Sequence, residues 1–226
     1  MADPKFEVVL FDIDGTLIST GGSSGHAWAH AVKDFYDVDF DVDANTGKGL
    51  PDPEVGRAIL RAVLGHDATG RELLRLMRRR MKYLPGELEK APHFVVEPGV
   101  PELLERLTDD GILLGLTTGN VEPAAHAKLA RGGLTHYFSF GGYGSDAVER
   151  VDLTKRAIER ARRLAGEALP EEAILAVGDT PRDVEAGHGA GIRVAGVATG
   201  DYSVDQLREA GADWALPNLT AGLPGT

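Results

Sequence analysis

Two aspartates stand one residue apart where a short apolar run ends: Val8-Val9-Leu10-Phe11 breaks into Asp12-Ile13-Asp14-Gly15-Thr16. Carboxylates at i and i+2 in an irregular turn repel each other unless a cation compensates them. A hard divalent ion with oxygen ligands, magnesium above all, meets that need. An Asp-x-Asp-Gly segment standing alone serves equally well as a turn and helix cap. Here two further polar segments follow apolar runs in the same manner. Thr117-Thr118-Gly119-Asn120 comes after Ile112-Leu113-Leu114-Gly115-Leu116, and Gly178-Asp179-Thr180-Pro181-Arg182-Asp183 after Ala173-Ile174-Leu175-Ala176-Val177.

Short continuous apolar runs bounded by polar turns have the form of parallel strands buried on both faces. Val194-Ala195-Gly196-Val197 is a fourth, weaker one. Between them, residues 100–110, 123–131 and 152–165 carry apolar side chains three and four apart, the spacing of amphipathic helices. Strand alternating with helix predicts an α/β, doubly wound, Rossmann-like parallel sheet, which binds ligands beyond the carboxyl ends of its strands. The three polar segments are therefore expected to face one crevice. Residues 17–96 break the alternation and read as helices around 24–36, 53–64 and 70–84, joined by turns rich in glycine and proline. The expected organisation is a catalytic core of 1–16 and 97–226 with an inserted helical cap of 17–96, hinged at Gly21-Gly22 and at 92–98.

Composition narrows the chemistry. The chain has 226 residues, 42% hydrophobic, with no cysteine, so a packed interior is expected and thiolate catalysis, disulfides and cysteine metal sites are excluded. Net charge is -11. Residues 16–96 hold eleven Lys/Arg and eleven Asp/Glu, so the whole acidic excess lies in the remainder. A surface of that sign repels nucleic acid. No run approaches the roughly 20 apolar residues of a membrane helix, and the amino terminus lacks the pattern of a secretory signal. A cytoplasmic protein without membrane or nucleic-acid partners is expected, monomer or dimer.

In order, spacing and strand context, Asp12-Ile13-Asp14-Gly15-Thr16-Leu17, Thr118-Gly119-Asn120 and Gly178-Asp179-Thr180-Pro181-Arg182-Asp183 resemble the haloacid dehalogenase superfamily, over nearly the whole chain. The resemblance implies that Asp12 is a nucleophile forming an aspartyl-phosphate and that Asp14 is a general acid and base. Because the dehalogenase branch differs at the second aspartate, phosphoester chemistry is favoured. It implies magnesium held by Asp12, the backbone carbonyl of Asp14 and Asp179, steadied by Asp183. Thr118, with Thr117 as the register alternative, and the amides of Gly119 and Asn120 would bind the phosphoryl group, with Thr16 beside them. The family's usual Lys, often followed by Pro, is missing. Arg150 falls at or near its position, and Lys155 is the second choice.

In capped relatives a cap loop selects the leaving group, and Thr46-Gly47-Lys48-Gly49-Leu50 is the expected loop, with Lys48 reading the substrate and Arg57 a weaker candidate. Arg71, Arg75, Arg78 and Lys82 form a solvated basic stripe opposite Leu73, Leu74, Met77, Met81 and Leu84. His26, Trp28 and His30 read as core packing or helix surface. The resulting expectation is a magnesium-dependent phosphatase of small phosphorylated metabolites, similar to phosphoglycolate phosphatases. A sugar phosphomutase with the same site, and a non-catalytic phospho-ligand-binding module, are the alternatives.

Overall fold

A computed structural model describes residues 5–47 and 49–226. Its first strand, β1 (Val8–Phe11), shows why the apolar runs become central strands: all four side chains are buried. Successive residues of a strand point to opposite faces. Val9 and Phe11 therefore pack into one layer with Leu103, Leu104 and Leu107, while Val8 and Leu10 pack into the other with Ala157, Ile158 and Val184. The following elements are β2 (Ile18–Ser19), α1 (Ser23–Tyr36), α2 (Val42–Asn45), α3 (Asp52–Leu64), α4 (Gly70–Lys90), β3 (Val95–Val96), α5 (Val100–Asp109), β4 (Leu113–Thr117), α6 (Glu122–Arg131), β5 (Phe140–Gly142), α7 (Arg150–Ala165), β6 (Ile174–Gly178), α8 (Pro181–Gly189), β7 (Arg193–Val197), α9 (Val204–Glu209) and β8 (Trp214–Leu216).

The large sheet has the order β5-β4-β1-β6-β7-β8, and each of its pairings is parallel. β1 lies at its middle, with Phe11 opposite Leu116 on one side and Val177 on the other. The segments that follow β1, β4 and β6 consequently leave the sheet side by side at one edge. This is the α/β doubly wound architecture that the strand pattern predicts. β5 and β8, of three residues each, fall at the margins of the sheet.

Helices α1 to α4 form a layer with an apolar centre of their own, built from Trp28, Ala31, Val32, Ile59, Leu60, Leu73 and Leu76. A second seam, of Ala27, Leu84, Leu88, Val121 and Ala124, joins this layer to α6. The chain enters and leaves through the antiparallel pair β2 and β3, in which Ile18 faces Val96. α4 runs beyond the expected stop at residue 84 to Lys90, through Pro85. Proline removes one hydrogen bond from a helix, but Leu84 and Leu88, one turn apart, keep the same apolar stripe in the seam. Among the described residues no helix is long and apolar enough to cross a membrane.

Candidate active site

Beyond the carboxyl ends of β1, β4 and β6 lies a cavity of about 590 Å³, lined by Asp12, Asp14, Thr118, Gly119, Asn120, Arg150 and Asp179 from the sheet side and by Ser24, Trp28, Thr46, Gly47, Leu50 and Asp52 from the helical side. Asp12 still belongs to the sheet, its amide donating to the Val177 carbonyl at 2.9 Å. At Gly15 the chain turns with φ +82°, and a side chain there would lie 2.4 Å from Asp179 Oδ2, so glycine is required on both counts. Asp183 is fixed by α8: its carboxylate accepts the Thr180 amide at 3.0 Å while Thr180 Oγ1 accepts the Asp183 amide at 3.3 Å, a reciprocal cap.

These turns bring three carboxylates together. Asp12, Asp179 and Asp183 each offer an oxygen, and the three oxygens lie within 4.8 Å of one another. Burial pushes Asp12 up to about 7, with Asp183 and Asp14 adding to the rise and Arg150 opposing it. Burial likewise pushes Asp179 up to about 9, reinforced by Asp183 and Asp12. Carboxylates this costly to ionise side by side, with only oxygen donors around them, suit a hard divalent cation. Arg150, from the start of α7, is the protein's own partial answer. Its guanidinium binds Asp183, lies 3.4 Å from Asp12 Oδ2 and donates to the Gly49 carbonyl at 3.2 Å. Although burial opposes its charge, Asp183 and Asp12 raise its pKa above the ordinary value.

The Asp14 carboxylate is not one of these three and has partners of its own. Lys128 Nζ donates to both of its oxygens, at 2.8 and 2.7 Å, and to Asn120 Oδ1 at 2.6 Å. Asn120 Nδ2 donates to Asp14 Oδ2 at 2.7 Å and to Thr118 Oγ1 at 2.8 Å. Burial would raise the Asp14 pKa, but the Lys128 charge and the bonds from Asn120 and Lys128 outweigh it and hold the group below the usual carboxylate range. Asn120 thus spends its side chain on Asp14, Thr118 and Lys128, and α6 begins without a side-chain cap at Val121. Thr118 lines the cavity, whereas Thr117 points into the core, 2.9 Å from the Thr154 hydroxyl.

Two expected substrate contacts fall elsewhere. Thr16 is fully buried and gives its hydroxyl to Asp179 Oδ1 at 3.1 Å, so it orients that carboxylate instead of meeting a ligand. Lys155 stands on the outer face of α7, its side chain 52% exposed and 3.9 Å from Asp152. Arg57 pairs on the surface with Glu54. Lys48 lies outside the described residues. Trp28 lines the cavity, while His26 and His30 sit at the surface near Glu87.

Two cations of consequence were absent from the sequence reading: Lys128 and Arg80. Arg80, on α4, donates to Asp52 Oδ2 at 2.7 Å and Ser24 Oγ at 3.0 Å and stacks 4.6 Å over the Trp28 ring. Asp52 in turn accepts the Val121 amide at 2.9 Å and donates its own amide to the Gly119 carbonyl at 2.7 Å, tying the helical layer to the loop after β4. One signal marks both cations. Lys128 falls in register with Ala124, Ala125 and Leu129, and Arg80 with Leu73, Leu76 and Leu84, so each charge interrupts a buried stripe.

A family model described as haloacid dehalogenase-like hydrolase matches residues 9–197. Among curated relatives, pyrophosphatase PpaX of Halalkalibacterium halodurans is 28% identical over 221 residues, covering 95% of this chain and 94% of that protein. Phosphoglycolate phosphatase of Synechococcus elongatus is 29% identical over 211 residues, covering 93% and 92%. Among solved structures, CbbY from Rhodobacter sphaeroides in complex with phosphate superposes with a TM-score of 0.75 at 21% identity, covering 95% of each chain, a likeness of fold.

Proposed function

This chain belongs to the haloacid dehalogenase-like hydrolases, and we propose that within that family it is a magnesium-dependent phosphatase in which Asp12 attacks the phosphorus of a small phosphorylated metabolite. The observation that carries this reading is the meeting of Asp12 with Asp179 and Asp183, the first two lining the same cavity as Thr118, Gly119 and Asn120. The named phosphatases among its relatives support it.

Asp12, Asp179 and Asp183 would hold the metal, with the Asp14 backbone carbonyl as the fourth protein donor, and oxygen donors of this kind suit magnesium. Bound there, the cation would offset charge on the phosphoryl oxygens. In the first half-reaction an Asp12 oxygen bonds to phosphorus while the bond to the leaving oxygen breaks, and Asp14, held ionised by Lys128 and Asn120 before substrate arrives, would take up a solvent proton as the phosphate's negative charge enters the site and give it to that oxygen. In the second, the Asp14 carboxylate takes a proton from water as the water oxygen bonds to phosphorus and the Asp12–phosphorus bond breaks. Phosphate and an alcohol or second phosphate are the products, and Asp14 regains its proton. Arg150 would neutralise Asp12 and the phosphoryl group, and Thr118 with the Gly119 and Asn120 amides would position it. Residues 17–96 would act as a cap over the core of 1–16 and 97–226, entering and leaving through β2 and β3. A cytoplasmic location accords with this substrate class.

The test is a screen of purified protein against phosphorylated metabolites with and without magnesium. Magnesium-dependent phosphate release from some of them is expected. An isomerised sugar phosphate in place of free phosphate would favour a mutase, and silence across the panel would overturn the proposal.

A further inference from the structure

We infer that Lys128 is a positioning residue that clamps the Asp14 carboxylate toward the leaving group, an inference that rests on the phosphatase reading of the same site. Its ammonium has three N–H donors. Asp14 Oδ1 and Oδ2 and Asn120 Oδ1 lie 2.8, 2.7 and 2.6 Å from it, so its donors are committed to these oxygens. The side chain is only 2% exposed, though its tip borders the cavity, and it rises from α6, whose seam of Val121 and Ala124 against Leu84 and Leu88 anchors the helix. Asp14 by contrast is 40% exposed, on a turn with no helix of its own to hold it. Asn120 completes a closed ring, donating to Asp14 and accepting from Lys128.

The geometry separates two cationic duties. Arg150 faces the Asp12 and Asp183 side, where phosphorus would sit, and Lys128 faces only the acid–base side. A carboxylate gripped at both oxygens is restrained from rotating while Asp14 lines the open cavity. Lys128 accordingly governs proton delivery without binding phosphate. Removing it affects the two half-reactions differently according to the leaving group. Nitrophenolate departs without a proton, so attack by Asp12 proceeds. An alkoxide needs the proton, and hydrolysis of the aspartyl-phosphate needs the base in either case.

The experiment compares wild type with Lys128→Met by rapid quench on p-nitrophenyl phosphate and on an alkyl phosphate, with intact-protein mass spectrometry. The variant is expected to give a nitrophenolate burst near one per enzyme, a phosphoryl adduct that persists, a kcat lower by about 10- to 100-fold and, because the adduct accumulates, an apparent KM on p-nitrophenyl phosphate that falls with it, with the loss of the first step confined to the alkyl ester. A raised KM at wild-type kcat would make Lys128 a phosphate ligand, and equal losses on both esters in the first step would make it packing only. Either overturns the inference. Lys128→Gln, which keeps two uncharged N–H donors, replaces the methionine variant if that fails to fold and is expected to fall between it and wild type. Wild-type protein silent on both esters would count against the phosphatase reading instead. The clamp is then read by nitrogen NMR of the Lys128 ammonium: its slowly exchanging signal is expected in wild type and lost in Asp14→Asn, and a signal unmoved by that change contradicts the clamp.

Discussion

Arg80→Met tests the tie between the helical layer and the loop after β4. Methionine keeps most of the aliphatic volume beside Trp28, so the substitution removes charge more than packing. The partner left behind is Asp52, whose side chain is 9% exposed and keeps only the Val121 amide on the oxygen that faced Arg80. Breaking one side of a buried ion pair costs about 3–5 kcal/mol. Arg80 Nε has no hydrogen-bond partner, a desolvation cost the wild type already bears, which argues for the lower end, about 3 kcal/mol. At about 2–4 °C per kcal/mol for a chain of this length, the melting temperature should fall by roughly 6–12 °C. Guanidinium and thermal unfolding measure it. Asp52→Asn added to Arg80→Met keeps an acceptor for the Val121 amide and removes the stranded charge, so the double variant should be more stable than the single one. A single-variant loss below about 1 kcal/mol, or no recovery in the double variant, refutes the reasoning.

Gly200→Ala would place a carbon 1.9 Å from Asp179 Oδ2, so the carboxylate must move and the magnesium needed for half-maximal activity should rise about 10- to 100-fold; an unchanged requirement speaks against Asp179 as a ligand. In metal-free protein, Asp12 at about 7 and Asp179 at about 9 keep protons that the unfolded chain releases near pH 4. Native protein therefore binds more protons than unfolded protein across that interval, and stability in EDTA should fall as pH rises from about 4 to 9. Magnesium competes with those protons, so its stabilisation in thermal melts should grow with pH, and a gain independent of pH contradicts the site. Arg150→Ala should lower kcat by about 10²-fold or more, while Lys155→Ala leaves it at the wild-type value; the reverse pattern would return Lys155 to the site.

The legible part of this protein is what local pattern dictates. Runs such as Val8-Val9-Leu10-Phe11 and Ile174-Leu175-Ala176-Val177 are apolar on both faces, which only central strands require, and the polar segments after them then share one edge. β8 was harder because a three-residue marginal strand carries too short a pattern. Thr16 and Thr118 look alike in sequence, each a hydroxyl in a polar turn, and only tertiary packing turns the first under Asp179 and the second into the cavity. Lys155 and Lys128 show the converse error. A solvent-side lysine near the expected position drew attention, while the lysine on the apolar face of α6, where a charge demands a partner, was the one that reaches Asp14.

The central claim, that Asp12 is the nucleophile of a magnesium-dependent phosphatase, is tested most directly by borohydride trapping during turnover. Reduction of an aspartyl-phosphate leaves homoserine, which peptide mass spectrometry locates. The account predicts homoserine at position 12 only when substrate and magnesium are both present, none after chelation, and a folded but silent Asp12→Asn protein. Turnover that continues with no modification at position 12, or in Asp12→Asn, would contradict it.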